Sequence, residues 1–387
     1  MACNILVLNI GSTSFKFKYF NMEDESVIAK GKIGSVFTDK SDFEFLAKNF
    51  KEKGFLDTKD GYKICLEKVI SLIDENCEGG RKNVGAIGFK TVMAGEINYP
   101  CVLDDDVIDK MKDLSLVAPA HNTPYIEAYK IVKNLFPNIK IVGSFETAFH
   151  NTIPSYATMY PIDKDLAQKY GIRKYGFHGA AHSYVAHKLS DKHEKIISVH
   201  LGGSSSVCAI KNGKSVDTSM GFSPQSGVAM NNRCGDVDIF SILYLMEKEN
   251  MNAEDMRKFL STKCGLLGMS KISNDMRDIE NGNDKTVLDA YTYSVAKYIS
   301  SYLATLGGVD AISFSGGIGE NSIRIKKDIL KRLEFLGLEL DDEKLENTEN
   351  TGTFEISKDT SKVKIYITYV DEELMVAKNT YKLLERR

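Results

Sequence analysis

Long runs of a single character are missing from this sequence of 387 residues. No apolar stretch approaches the roughly 20 residues of a membrane-spanning helix, so no membrane partner is expected. No long basic run occurs either. Lys and Arg (50) nearly balance Asp and Glu (53), the net charge is −3, and the electrostatic case for a nucleic-acid partner falls away. The seven cysteines, at 3, 65, 77, 101, 208, 234 and 264, are scattered, odd in number and free of any Cys-x-x-Cys. That pattern argues against a disulfide framework or a zinc site and for reduced thiols. The opening Met-Ala-Cys-Asn enters a strand with no charged segment or signal-like core, which makes a cytoplasmic location the expectation. A Walker A motif is absent as well, since no Lys-Ser/Thr follows the glycine-rich blocks.

What is present is organised around glycine- and hydroxyl-rich turns between apolar strands. The chain is long enough for two domains, and its 43% hydrophobic content supports a large core. Asn4 to Tyr19 reads as a strand, a turn at Gly11, and a second strand in which Phe15 and Phe17 alternate with Lys16 and Lys18. Such a turn offers backbone N–H groups and hydroxyls to phosphate oxygens, flanked by Asn9 and Lys16; alone it is equally an ordinary hairpin. Ile196 to Lys211 repeats the pattern around Gly202, then turns at Asn212-Gly213 into Lys214 to Asp217. Two such hairpins point to a duplicated fold. A third strand, Ala311 to Ser315, runs into Gly316-Gly-Ile-Gly-Glu-Asn321 and then a helix from Ile323 to Leu336; its glycines allow close approach of a ring or a phosphate.

Between these lie further expected elements. Ser26 to Gly34 reads as a strand, Phe43 to Phe50 and Ile64 to Ile73 as helices, and Val84 to Val92 as a strand carrying Lys90 near its end. Asp104 to Leu114 reads as a helix. Val117 to Pro124 interrupts the pattern and sets His121 at the mouth of a helix from Pro124 to Leu135, where capping or packing is as natural a role as function. Ile139 to Phe145 is a strand, and Glu146 follows its C-terminal end, where α/β sheets place ligands. Tyr175-Gly-Phe-His-Gly179 puts His178 at a glycine-flanked helix entrance. The polar loop from Asp217 to Asp236 carries Arg233 as its strongest chemical group. A long helix from Asp284 to Leu306, a strand from Lys364 to Tyr369 and a helix from Glu372 to Leu384 complete the chain.

As an ordered set, Asn9-Ile-Gly-Ser-Thr-Ser-Phe-Lys16, Tyr175 to Gly179, Asp217-Thr-Ser-Met-Gly-Phe222, Arg233-Cys-Gly-Asp236, Gly316 to Asn321 and Glu372-Glu-Leu374 resemble the acetate kinases. The resemblance runs from Asn9 to Lys378. It implies the duplicated two-domain α/β fold shared by actin, sugar kinases and heat-shock chaperone ATPases (ribonuclease H-like). It also implies a domain over 1–150 on the carboxylate side, completed by 370–387, and a nucleotide-binding and dimerising domain over 151–369. The implied activity is transfer of the γ-phosphoryl of ATP to a small carboxylic acid, giving an acyl phosphate and ADP, reversibly. Mg²⁺, with Mn²⁺ as a substitute, would be held by Asn9 and Glu372. Ser12, Ser14 and Lys16 would line the phosphates, together with His200, Leu201, Gly202, Gly203 and Ser204. The adenosine site would be formed by Asp275, Met276 and Arg277 with Gly317, Ile318, Gly319, Glu320 and Asn321. The phosphoryl group would meet Glu146, His178, Arg233 and His121, and the acid would meet Lys90, Val92, Ala120, Phe177 and Pro224. A homodimer is implied too.

The departures from that family pattern gather where the acid binds. Lys90 stands in Phe89-Lys-Thr-Val-Met-Ala-Gly95 where the family has an arginine, and a lysine offers a point charge instead of a planar fork. Glu146 stands for an aspartate, Ala120 for a leucine and Gly203 for an asparagine. Losing about three carbons at Ala120 removes roughly 2 kcal/mol of apolar contact. The expected substrate is therefore an acid larger or more polar than acetate. An ordinary acetate or propionate kinase and a catalytically impaired nucleotide-binding regulator remain the alternatives.

Overall fold

The computed structural model describes residues 4–114, 119–282 and 284–385, and of 119–121 the backbone alone. Two compact units make up the chain, one running to Ala148 and completed by the segment from Asp371, the other spanning Phe149–Val370.

The first unit is built on an eight-stranded sheet. Its strands are β1 (Asn4–Gly11), β2 (Ser14–Asn21), β3 (Ser26–Gly34), β4 (Ser41–Ala47), β5 (Phe50–Leu56), β6 (Ala86–Phe89), β7 (Cys101–Val102) and β8 (Lys140–Gly143). Their order is β5-β4-β3-β2-β1-β6-β8-β7. β1 to β5 form an antiparallel meander, and β6 and β8 continue in parallel with β1. The apolar run Ile5 to Leu8 is buried throughout, as a strand covered on both faces requires. On one face Leu6, Leu8, Phe15, Phe17 and Tyr19 pack with Leu66, Val69, Ile70 and Ile73 of the helix Tyr62–Asn76. On the other, Val376 and Ala377 of the helix Glu372–Glu385 cover Ile5, Val7, Phe20 and Met22.

Three sequence expectations are corrected here. Phe43 to Phe50 is no helix but the β4–β5 hairpin, because Phe43 and Phe45 point into the core while Asp42 and Glu44 point away, a period of two. The helix expected from Pro124 begins at Pro119 and runs to Leu135 with Pro124 inside it, so position 121 lies within a helix and not at its mouth. Pro124 sits in the second turn, where a missing N–H costs one backbone bond. The strands around the site are also shorter than read, so that Lys90 and Glu146 both lie just beyond strand ends.

The second unit holds β9 (Lys195–Leu201), β10 (Ser205–Lys211), β11 (Lys214–Thr218), β12 (Ala311–Ser315), β13 (Gly352–Glu355) and β14 (Lys364–Tyr369), in the order β11-β10-β9-β12-β14-β13. β11-β10-β9-β12-β14 repeats β3-β2-β1-β6-β8 in order and in direction, antiparallel across the hairpins and parallel beyond them. The fold is thus duplicated. The helix Lys285–Leu306 lays Val287, Tyr291, Val295 and Ile299 against this sheet's core. The glycine block after β12, read as a turn, is itself a short helix, Gly316–Asn321. Glu320 closes it by accepting from the Gly316 N–H at 3.0 Å.

Candidate active site

In the first unit a buried lysine meets two carboxylates. Lys90 follows β6 and its backbone N–H still reaches the Leu8 carbonyl of β1, while Glu146, past β8, donates its N–H to the Thr91 carbonyl. This shared backbone pairing brings both side chains to the same end of the parallel strands. The Lys90 ammonium lies 2.6 Å from Glu372 and 3.7 Å from Glu146, with 17% of the lysine and 8% of Glu146 side-chain surface exposed. Burial by itself would lower the Lys90 pKa, but Glu146 and Glu372 outweigh it and hold the ammonium well above the ordinary lysine range. The two carboxylates thus hold Lys90 as a cation. Beside it Tyr125 is buried, and its hydroxyl accepts from the Ile10 N–H at 2.9 Å.

Asn9 stands opposite Lys16 in the β1–β2 ladder and donates its side-chain N–H to Glu373 at 2.7 Å. With the amide nitrogen so engaged, its carbonyl oxygen is the atom left to serve a cation. Glu373 and Asp371 also hold Lys18, at 3.4 and 2.8 Å. Among the described residues no three His, Cys, Asp or Glu side chains converge to hold a metal. The Asn9 amide oxygen and the Glu372 carboxylate are hard-oxygen donors of the kind that suits Mg²⁺, which is held by one or two carboxylates plus substrate phosphates and not by an all-protein cage. The residues present fit that ion.

In the second unit the site is a ladder of histidines and serines. His178 has a positive φ of 58° and caps the helix Gly179–Leu189. Its backbone is positioned by its neighbour, since His150 Nε2 donates to the Phe177 carbonyl at 2.8 Å, which leaves His150 Nδ1 to accept from the Ser215 hydroxyl. Gly176, at φ 76°, must be glycine, because a Cβ there would come within 2.7 Å of the His150 ring. His178 Nδ1 and His182 Nε2 share the Ser206 hydroxyl, at 2.8 and 2.7 Å, and His182 Nδ1 meets Ser198 at 2.8 Å. The His200 ring stands 4.8 Å from that of His178, and its Nδ1 meets Ser315.

Two of these histidines carry a consequence for stability. Burial holds His150 down to about 4 and His182 well below the ordinary histidine value. Between pH 6.5 and about 4 the unfolded chain therefore takes up protons that the folded chain refuses. Stability is expected to fall as pH drops through this window, by about 3 kcal/mol for His150 alone. Urea unfolding at pH 7 and at pH 4.5 measures this, and His150→Gln should flatten part of the slope; an unchanged slope in that variant would contradict it.

Arg233 is largely desolvated, and burial lowers its pKa without discharging it. One terminal nitrogen, Nη1, donates to Ser204 Oγ at 3.0 Å and to the Pro224 carbonyl at 3.2 Å, and among the described residues Nε and Nη2 meet no acceptor. A separate cleft of about 460 Å³ is lined by Gly202, Gly203, Asn231, Asp275, Met276, Arg277, Glu280, Gly317, Ile318, Asn321 and Ser322, a volume that suits a nucleoside. A Cβ on Gly317 would meet nothing within 4 Å. Packing therefore does not require glycine at 317. At the cleft mouth Arg277 forks onto Asp275 at 3.0 and 2.5 Å and holds that carboxyl down to about 2.

Beneath the cleft Lys326 is fully buried and donates to the carbonyls of Gly319 and Glu320, both at 3.0 Å. Burial brings its pKa down to about 8, with Glu320 and Glu280 pulling it back up. A cation on the last carbonyls of Gly316–Asn321 fixes that short helix. Lys326→Met is expected to weaken ATP binding about tenfold or more by leaving two buried carbonyls unmatched, and Lys326→Arg to restore part of it. Calorimetric titration of ATP checks this; full affinity in the methionine variant would show that the cleft stands without the lysine.

Of the expected residues, Asn9, Lys16, Lys90, Glu146 and Glu372 come to one end of the first sheet, where Ser12 and Ser14 form and flank the β1–β2 turn. Val92 is buried in that unit, and Phe177 and Pro224 are buried in the second. Gly202, Gly203, Asp275 to Arg277, Gly317, Ile318 and Asn321 share the cleft, whereas His200, Leu201, Ser204, Gly319 and Glu320 do not line it. Leu201 is wholly in the core, and Ser204 serves Arg233. The side chains of Ala120 and His121 lie outside the described residues. Sequence reasoning missed His182, Ser206, Asn231 and Lys326. His182 follows His178 by four positions on one helix, a signal that was there to be read.

A duplicated sheet of this order is the two-domain α/β fold of the class that includes actin, sugar kinases and heat-shock chaperone ATPases. Within that class the chain belongs to the acetokinase family, whose model matches residues 4–378. It is 40% identical to an acetate kinase of Acetivibrio thermocellus over 99% of both chains. It is 41% identical to an acetate kinase of Clostridium acetobutylicum over 97% of both. Among solved structures it resembles the acetate kinase of Porphyromonas gingivalis, with TM-score 0.88 and 33% identity over 99% of this chain and all of that one. It also resembles a propionate kinase of Francisella tularensis subsp. tularensis SCHU S4, with TM-score 0.89 and 32% identity over 97% and 98% of the two chains.

Proposed function

We propose that this chain phosphorylates a carboxylic acid larger or more polar than acetate, using ATP and Mg²⁺ and yielding an acyl phosphate and ADP. The broader statement, a phosphotransferase with a carboxyl acceptor, follows from membership of the acetokinase family. The observation that carries the narrower one is the Lys90 ammonium shared between Glu372 and Glu146 at 2.6 and 3.7 Å. A cation divided between two carboxylates is a single point charge, with none of the two-pronged grip a guanidinium gives a small acid. An acid bound there needs further contacts of its own, polar or apolar, to be held in line. In this reading Lys90 draws the acid's carboxylate, and Arg233 and His178 neutralise the transferring phosphoryl group. The nucleotide lies against Gly202, Gly203, Gly317 and Asn321. Asn9 and Glu372 would hold Mg²⁺, which when bound offsets phosphate charge. Catalysis of this kind is positioning and electrostatics, and the chain supplies both from side chains locked by neighbours.

A panel of carboxylic acids assayed for acyl phosphate tests the reading. A larger or hydroxylated acid is expected to exceed acetate in kcat/KM. Acetate ahead of every other acid would return the chain to an ordinary acetate kinase, and bound ATP with no ADP release for any acid would make it a regulator.

A homodimer is part of the same proposal. The helix Ile239–Lys248 buries none of its residues, and Ile239, Phe240, Leu243 and Tyr244 stay 47–79% exposed, an apolar face that a second copy would cover. Light scattering should give twice the 43.1 kDa chain mass; a monomer at micromolar concentration would remove this part of the proposal.

A further inference from the structure

The first unit carries a second cationic feature, which touches the expected phosphate-lining set at Lys16 alone and otherwise lies outside it. On the face of the meander opposite its core, β2 and β3 place Lys16 directly across from Lys32 and Lys18 across from Lys30. The next strands extend the two rows, Lys32 to Glu44 to Lys53 and Lys30 to Leu46 to Lys51. Like charges facing each other across strands repel, and central strands, unlike edges, have no need of lysine to block aggregation. Compensation is partial. Lys18 is held by Asp371 and Glu373, and Glu44 is engaged by Lys53 at 2.7 Å, feeling Lys51 and Lys32 only at longer range. Among the described residues Lys16, Lys30 and Lys32 form no ion pair. These lysines are not spread on a convex surface. With Lys18, Glu44, Leu46 and Glu373 they line a groove of about 310 Å³.

We infer that this groove is a binding site for a phosphate chain, either inorganic oligophosphate or the phosphate tail of a second nucleotide. Strand geometry spaces the four lysine positions at about 5 Å across the strands and about 7 Å along them. That grid meets several negative charges in line and gives little to a lone carboxylate. Lysine is a point-charge partner for phosphate, and its flexible stem tolerates a chain lying in more than one register. Glu44 and Glu373 bound the groove with negative charge, which favours a compact anion over a continuous anionic surface such as a membrane. The site is separate from the glycine-walled cleft, whose lining residues all belong to the second unit. It holds whether or not the acid is larger than acetate.

Titration calorimetry of sodium tripolyphosphate into the full-length protein, with ADP present in excess to occupy the nucleotide cleft, tests the site. One saturable site is expected, weakening steeply with salt. Lys30→Gln with Lys32→Gln should lower its affinity about tenfold or more while leaving acyl phosphate formation unchanged, because neither residue belongs to the phosphoryl-transfer machinery. A parallel ATP titration separates the sources. Two equivalents bound by the parent and one by the double variant identify a nucleotide tail, and one in both, with tripolyphosphate still bound by the parent and weakened in the double variant, identifies inorganic oligophosphate. No saturable tripolyphosphate binding with ADP present, or equal affinity in parent and double variant, overturns the inference. A matched thermal melt of the two proteins excludes misfolding, which these exposed positions do not invite.

Discussion

Lys90→Met is expected to lower acyl phosphate formation about a thousandfold and to destabilise the first unit by about 3–5 kcal/mol. The methionine fills the volume but leaves Glu146, buried, and Glu372, half-buried, facing each other with their shared cation gone. Removing one partner of a buried ion pair costs far more than the pair contributes, since the remaining charge stays largely desolvated with its compensating cation gone. The two losses separate by measurement: chemical unfolding reads the stability term, and kcat/KM well below the melting point reads the rate. Lys90→Arg is the informative companion. Its cation restores stability, and its planar fork should move the acid preference toward acetate, most of all when combined with Glu146→Asp. A fully active, fully stable methionine variant would separate Lys90 from both roles.

Arg233→Met should cost a further two to three orders of magnitude, almost wholly in kcat. The guanidinium is held by Ser204 and Pro224 through one nitrogen, so its remaining donors are fixed in direction before any ligand arrives. Such a group contributes most where charge develops, and ground-state ATP binding in the cleft should change little. Arg233→Lys is expected to fail as a rescue, because an ammonium cannot hold Ser204 and Pro224 while presenting two more donors in a plane. Equal losses in ATP affinity and in kcat would mean that Arg233 binds nucleotide instead of serving the transfer.

Much of this arrangement was legible before the structure, and the failures have physical causes. The two glycine–serine hairpins and the Asn212-Gly213 turn stood out because turn chemistry is local. Phe43 to Phe50 misled because Phe43, Leu46 and Phe50 satisfy helical spacing while Phe43 and Phe45 satisfy strand alternation, and only packing decides between the two. Pro124 looked like a helix boundary, yet burial of Tyr125, Ala128 and Val132 outweighs one lost backbone bond. Lys326 lay hidden as one lysine among several in Ile323–Lys331, although it precedes the buried Leu330 by four residues and so falls on the apolar side. The lysine grid could not be read at all, since cross-strand register joins β2 to β3 and no sequence spacing displays it.

The discontinuous first unit bears on how the protein is made. Its closing segment, from Asp371, is synthesised only after the whole of Phe149–Val370, which at about 5–20 residues per second takes on the order of 10–45 s. During that interval the nascent sheet has no helix over Ile5, Val7 and Phe20, and Lys90 and Lys18 lack the carboxylates of Glu372, Glu373 and Asp371. The second unit, by contrast, is continuous and waits for no segment made after it. The earliest part of the chain is thus the last to mature, and its apolar sheet face is a surface that a chaperone would have reason to cover.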